Sequence, residues 1–343
     1  MTMNTQPVRR PSSDELLNTN LLGPPRRMAW PHMRLPRRVK DRLTGQTFFA
    51  IATAPLILVA VMVITLARRA WPILAIVSLE ELVFGHLWQP LKGAFGFYPF
   101  ILGTVWVTGI AMTLAVPPAL LCAIYLAEYA RPATRLVAKP VLDLLASIPS
   151  VVYGVWGVVA IVPWVQRVIA PLLSRWLGFL PLFQATNPTG FGLLSGGIVL
   201  AVMVAPFIIA VTYEVICAVP AGVREASLAI GATQWQTIRH VLLPHTIPGI
   251  LASVVLGASR ALGETMAVLM VVGNVAQVPK SIFDAAYPLP ALIANNYGEM
   301  LSIPLYDAAL LGAAFILLLI VMIFNLASRL ALRQITAREV GKR

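Results

Sequence analysis

The chain has 343 residues, 58% of them hydrophobic and only 12% charged, with a net charge of +12 and a mean hydropathy of +0.81. A water-soluble protein carries about 25% charged residues to hydrate its surface, so lipid is the solvent here and membrane spans are the units to count. Nor does the charge mark a nucleic-acid surface: nine basic residues precede Gln46 and five run from Arg329 to the end, flanking apolar runs as topology signals and lipid contacts do.

Residues 1–25 are polar, contain proline and lack periodicity, which predicts disorder. Residues 26–45 are basic, and Arg37 to Leu43 reads either as a short amphipathic helix on the inner membrane surface or as a solvated tail. The first apolar run starts too late and is too long to be a secretory signal. Six spans are predicted: Phe48–Ala67, Phe100–Ala127 with a bend at Pro117-Pro118, Leu142–Val162, Gly192–Tyr213, Pro248–Gly273 and Ala308–Ser328. No period-two alternation competes, which excludes a β-barrel. The predicted fold is therefore all-α, a polytopic membrane protein of six transmembrane helices. Residues 1–45 form a basic tail, 46–330 the six-span domain with an inner loop at 218–247, and 331–343 a second tail.

Orientation follows from the basic residues. With the N-terminus inside, nine lie in the N-terminal tail, three in 128–141, two in 218–247 and five in the C-terminal tail, nineteen against six outside. Both termini and the 218–247 loop are thus expected in the cytoplasm. The outer connections 70–98 and 163–191 are rich in Pro, Gly, Trp and Leu and read as interfacial or re-entrant pieces, and 274–306 as a loop of mixed polarity with four prolines. They either close the outer mouth or meet a delivery protein, or simply pack at the rim. Cys122 and Cys217 fall in apolar runs and are expected as small core residues. The four histidines are scattered, with His240 and His245 far from any carboxylate cluster, so no metal site is expected.

Two features carry chemistry. Residues 225–244 follow the spacing Glu225-Ala226, four residues, Gly231, nine residues, then aliphatic-x-Leu243-Pro244. Glu225-Ala226-Ser227 opens a short amphipathic helix, Gly231 permits a reversal at positive φ, and Gln234–Leu243 forms a second helix that Pro244 stops. Small residues at 226, 227, 229 and 232 allow another protein to approach closely. The plain alternative is an ordinary connection between spans. The second feature is Arg260 with Glu264, four apart and so expected on one face of the fifth span. At 1.5 Å per residue Arg260 lies about 18 Å along the helix from Pro248, near the bilayer midplane. A charge there costs about 2.5–3.5 kcal/mol on insertion scales, so it should face protein or water. The planar guanidinium suits a phosphate-like anion; Glu264 would hold it while the path is empty, and Thr265 adds a polar contact beside them. The alternative is a structural ion pair. No Gly-x-x-x-x-Gly-Lys-Ser/Thr segment is present, so the chain has no ATP site of the P-loop kind.

The 225–244 spacing resembles the cytoplasmic EAA loop of permease subunits in bacterial ATP-driven importers, with Ser227 where that pattern usually has Ala. Arg260-Ala-Leu-Gly-Glu-Thr-Met-Ala-Val, running on to Gly273-Asn274, is similar to the fifth span of PstC-type permeases of the phosphate-specific ABC importer. Gly96–Thr104, Tyr125-Leu-Ala-Glu-Tyr129, Ser147-Ile-Pro-Ser-Val-Val-Tyr-Gly154 and Leu292–Glu299 resemble that family too, and the likeness covers roughly residues 37–330. It implies a type I ABC importer permease architecture and a heterodimer with a PstA-like sister permease. It also implies two copies of a PstB-like cytoplasmic ATPase holding ATP and magnesium, and a PstS-like extracytoplasmic phosphate-binding protein. This chain itself would bind no cofactor and would not be an enzyme. The residue readings above make Arg260, Glu264 and Thr265 the candidate substrate pathway, and Glu225, Ala226, Gly231, Leu243 and Pro244 the candidate ATPase coupling residues. Permeases for other oxyanions (molybdate, sulfate, phosphonate) and ATP-independent anion carriers or channels stay open.

Overall fold

The computed structural model describes residues 37–184, 187–299 and 305–340. The expected disorder of residues 1–25 lies outside that range. The helices are α1 (Arg37–Leu74), α2 (Leu79–Phe84), α3 (Tyr98–Tyr129), α4 (Pro132–Ser147), α5 (Ser150–Leu177), α6 (Leu193–Cys217), α7 (Ala221–Ala229), α8 (Gln234–Leu262), α9 (Met266–Val271), α10 (Leu289–Asn296) and α11 (Tyr306–Val340). Six of them, α1, α3, α5, α6, α8 and α11, are long and apolar enough to cross a membrane. α1 passes from one compact unit ending at Ala60 into a second beginning at Val61. It is unbroken from Arg37, so Arg37 to Leu43 continues without a break into the first span.

α6 is the central post of the second unit, with 67% of its apolar window buried. It packs most extensively on α3, and also on α8, α4 and α9. The α3 contact is legible in its sequence: Gly103, Val107, Ala111, Ala115, Ala119 and Ala123 recur every four residues and are all buried. Such a ridge of small side chains lets two helix backbones approach, which in lipid replaces the hydrophobic drive of water. Hydroxyls add direction to the packing. Thr212 of α6 and Ser253 of α8 share a hydrogen bond of 2.8 Å, both fully buried, and Ser259 of α8 donates to Asn325 of α11 at 3.0 Å.

Two predicted spans are displaced by prolines. The expected third span, Leu142–Val162, is cut at Ile148-Pro149, where Pro149 holds Ile148 extended. Its first part belongs to α4, and the spanning helix is α5. α5 runs past Val162 because two π turns, Gly157–Ile161 and Val165–Ile169, each end two residues before a proline, Pro163 and Pro171. A proline ring collides with the carbonyl four residues back; widening the preceding turn by one residue moves that carbonyl away. Pro244 behaves alike: the π turn Ile238–Leu242 precedes it, and the helix it was expected to stop continues to Leu262. The expected fifth span, Pro248–Gly273, is in turn broken at Gly263-Glu264-Thr265, with α9 beyond.

The connections expected on the outer side are structured. A two-stranded hairpin pairs Trp88-Gln89 (β1) with Ala94-Phe95 (β2), and the Trp88 ring lies 5.2 Å from Phe100 and 6.1 Å from Tyr306, between α3 and α11. The 274–296 segment packs inward, burying Ile282, Phe283, Ala286, Leu289, Ala291 and Leu292. Ser281 donates to the carbonyls of Leu182 and Gln184. α10 is pinned by one bond: Leu289 N–H donates to Thr104 Oγ1 at 2.9 Å, while that hydroxyl donates to the Phe100 carbonyl at 2.8 Å. Cys122 packs partly buried against the core, whereas Cys217 is exposed at the end of α6 and so is not the core residue expected.

Thr104 is 3% exposed, so Thr104→Val should strand the Leu289 N–H in an apolar site and cost about 1–3 kcal/mol. The purified protein in detergent should unfold at lower temperature, with a conservative Thr104→Ser variant in between.

Candidate functional site

The Arg260 region is built by two helix breaks that face each other. One is Ser147-Ile148-Pro149 between α4 and α5, the other Gly263-Glu264-Thr265 between α8 and α9. They are held together because Gly154 of α5 lies against α9: a Cβ there would meet Met270 Sδ at 2.6 Å and the Ala267 Cα at 3.2 Å. A helix end leaves its last carbonyls without partners in the helix. α4 finds them in side chains: the Tyr153 hydroxyl donates to the Leu145 carbonyl at 2.8 Å, and Arg260 Nη2 to the Ala146 carbonyl at 3.5 Å. A cation at a helix C-terminus is also favoured by the helix dipole. The Arg260 Cζ stands 5.8 Å from the centroid of Phe207 on α6, within cation–π range.

Arg260 and Glu264 do not share a helix face, because α8 ends at Leu262. No ion pair joins them among the described residues. The Glu264 carboxylate accepts the Ala267 N–H at 3.4 Å instead, capping α9. Thr265 donates its hydroxyl to the Gly263 carbonyl at 3.3 Å. The count of depth from Pro248 also lapses, since α8 starts at Gln234 and Arg260 sits two residues from its end. What remains is an exposed guanidinium with one long bond to a carbonyl and further N–H donors free for a ligand. α9 leads from this point to an open cavity of about 730 Å³, lined by Leu269, Met270, Asn274, Gln277, Asn187 and Thr189 among others.

The second site is the helical hairpin between α6 and α8. Gly231 adopts φ +88° as expected, with nothing near its missing Cβ, and reverses the chain after α7. The next helix starts on a capping box: Gln236 N–H donates to Thr233 Oγ1 at 3.3 Å, and Thr233 N–H to Gln236 Oε1 at 2.8 Å. Ser227 makes use of its departure from Ala. Its hydroxyl meets Thr237 Oγ1 at 2.9 Å, both buried, and ties α7 to the first turn of α8. Glu225, Ala226 and Gly231 are exposed on the hairpin, beside Leu228, Ile230 (86% exposed) and Trp235. Leu243 and Pro244 are half-buried at its base, within α8.

Sequence reasoning missed what holds this hairpin. Arg224 and Glu128 form an ion pair at 3.1 Å with 22% and 10% of their side chains exposed. Arg224 also donates to the carbonyls of Ile216 and Val219, and Gln234 Nε2 donates to the Glu128 carbonyl at 2.7 Å. The available signal was a lone carboxylate closing the apolar run of α3.

Comparison with known proteins agrees with this architecture. Residues 119–339 match the family model described as binding-protein-dependent transport system inner membrane component. The chain is 36% identical over 318 residues to the phosphate transport system permease protein PstC of Pasteurella multocida, covering 90% of this chain and 97% of that one. It is 37% identical over 322 residues to the PstC protein of Mesorhizobium japonicum, again covering 90% and 97%. Among solved structures, a bacterial alginate ABC transporter in complex with an alginate-bound periplasmic protein superposes with TM-score 0.57 at 19% identity, over 88% of this chain and 99% of that one, a likeness of fold. The chain belongs to the family of binding-protein-dependent inner membrane transport components, and within it to the PstC permeases.

Proposed function

We propose that this chain is a permease subunit lining the path of inorganic phosphate through the bacterial cytoplasmic membrane, in an importer driven by a separate ATPase. The observation that carries the substrate is the likeness to relatives named as phosphate permeases, at 36% identity over 90% of the chain. The chemistry of Arg260 supports it. A planar guanidinium donates paired, charge-assisted hydrogen bonds to an oxyanion, and here its fork is not consumed by Glu264. Phosphate arriving through the outer cavity reaches Arg260 past α9, and the two facing breaks supply backbone that can change shape without unwinding a whole span. Glu264, by capping α9, sets the position of the break, and Thr265 sits within it.

The hairpin 225–244 is the coupling element in this reading. Its exposed Leu228, Ile230 and Trp235 present an apolar helical face of the kind that seats in a groove on a partner. The partner is a cytoplasmic ATPase in two copies, which holds ATP and magnesium; this chain holds neither. A sister permease completes the path and an extracytoplasmic phosphate-binding protein delivers the ion. The basic-residue bias supports a cytoplasmic position for both termini and the hairpin.

Labelled phosphate uptake into vesicles carrying the assembled importer tests both halves. Gly231→Asp places a charged Cβ substituent in open space at a left-handed φ, a strain of about 1–2 kcal/mol that leaves the bundle folded. The ATPase should fail to co-purify and uptake should fall about tenfold or more, equivalent to about 1.4 kcal/mol of docking. Uptake that continues without ATP points instead to a channel or ion-coupled carrier. Arg260→Gln should leave the ATPase bound and lower uptake about 10–100-fold, as expected for a charge-assisted bond of about 1.5–3 kcal/mol. Normal uptake by Arg260→Gln removes that residue from the pathway. Competition by sulfate or molybdate at equal concentration should be weak; strong competition reassigns the substrate to another oxyanion.

A further inference from the structure

We infer that Glu128 and Arg224 form a junction through which the 225–244 hairpin drives α3 together with α6 and α8, keeping phosphate movement tied to ATP hydrolysis. The inference rests on the coupling role proposed above and adds the residues that deliver the motion.

The chain itself links the hairpin only to α6, through Ala218-Val219-Pro220, and to α8, which continues from Gln234. Three extended or loosely turned residues make a poor lever, since each retains soft dihedrals. Arg224 removes that slack. Its Nη2 donates to the Ile216 carbonyl at 2.7 Å, in the last turn of α6, and its Nη1 to the Val219 carbonyl within the hinge. The same guanidinium reaches across to Glu128, with Nε 3.1 Å and Nη2 3.1 Å from Oε1. One planar group thus joins three elements in a fixed geometry, which Lys could not do.

Glu128 stands in the π turn Tyr125–Tyr129 that ends α3. π turns leave carbonyls out of register with the α ladder, and here neighbours take them: Arg135 of α4 donates to the Ala127 carbonyl and Gln234 of α8 to the Glu128 carbonyl, both at 2.7 Å. The hairpin therefore holds α3 by the Glu128 carboxylate from α7 and by the Glu128 carbonyl from α8. α3 in turn packs along α6 on its ridge of small residues, so α3 and α6 respond as one body.

Stability alone does not account for this arrangement. A buried ion pair contributes little net stability compared with apolar side chains of equal volume, and only the surface pair Lys139–Glu214 (3.4 Å, both above 60% exposed) joins it among the described residues. What the pair adds is direction: a rigid, charge-assisted link between a docking element and a span the backbone does not connect it to. Glu128 and Arg224 are positioning residues in this sense, acting through the hairpin and not on phosphate.

The test uses the complete importer in proteoliposomes with its delivery protein, measuring ATP hydrolysis, phosphate uptake and bound ATPase in parallel. Glu128→Gln keeps the size and every bond to α6, so it is the primary variant; Arg224→Ala removes the whole node. Both complexes should retain the ATPase and hydrolyse ATP, while phosphate moved per ATP falls about fivefold or more, the scale of a typical coupling between sites. Glu128→Asp, which keeps the charge, should lie between Gln and the original. An unchanged ratio in Glu128→Gln, even with lower yield or melting temperature, overturns the junction and leaves the proposed function standing. Loss of ATPase from both complexes also overturns it, since the pair then serves assembly. An unsubstituted complex that moves no phosphate overturns the proposed function, and the junction with it.

Discussion

In hydrocarbon a backbone N–H or C=O without a partner costs several kcal/mol, so a chain that crosses a membrane must satisfy its own backbone or borrow partners from neighbouring elements. This chain carries 27 prolines, each lacking one donor, and its architecture is arranged around them. At Pro163, Pro171 and Pro244 a π turn precedes the proline and the helix goes on, whereas Pro206 and Pro248 are carried inside helices without one. At Pro149 the helix stops, and its orphaned carbonyls are taken by Tyr153 and Arg260. The polar contacts at these breaks thus share one cause, and the only guanidinium in the fifth predicted span belongs to that set.

The same constraint sorts what is rigid from what can change shape. α6 is clasped by α3 along a ridge of alanine and by α8 through the buried Thr212–Ser253 bond. Short-range packing of this kind has discrete arrangements rather than a continuum. The breaks at 147–149 and 263–265 interrupt the helices on either side, which makes them the natural places for a conformational step. Residues 281–292 are almost wholly buried and bonded to α3 by Thr104, so they belong to the core of the fold. At the opposite end of α6 the hairpin is exposed, apolar at its tip and anchored by charge at its base.

The sequence by itself determined the solvent, the number of spans and the hairpin. A run such as Phe48–Ala67 has no charge to hydrate and is long enough for the bilayer, and Gly231 sits where only a residue tolerant of positive φ turns the chain sharply. Those properties are local, carried by consecutive residues. The tertiary structure decided where the third and fifth helices begin and end, because whether a proline stops a helix depends on the turn before it and on which neighbour takes the freed carbonyl. It also decided that Glu264 caps α9 and leaves Arg260 alone, and that Glu128 meets Arg224. A pair 96 residues apart in sequence comes together only when three helices converge, and no spacing along the chain encodes that.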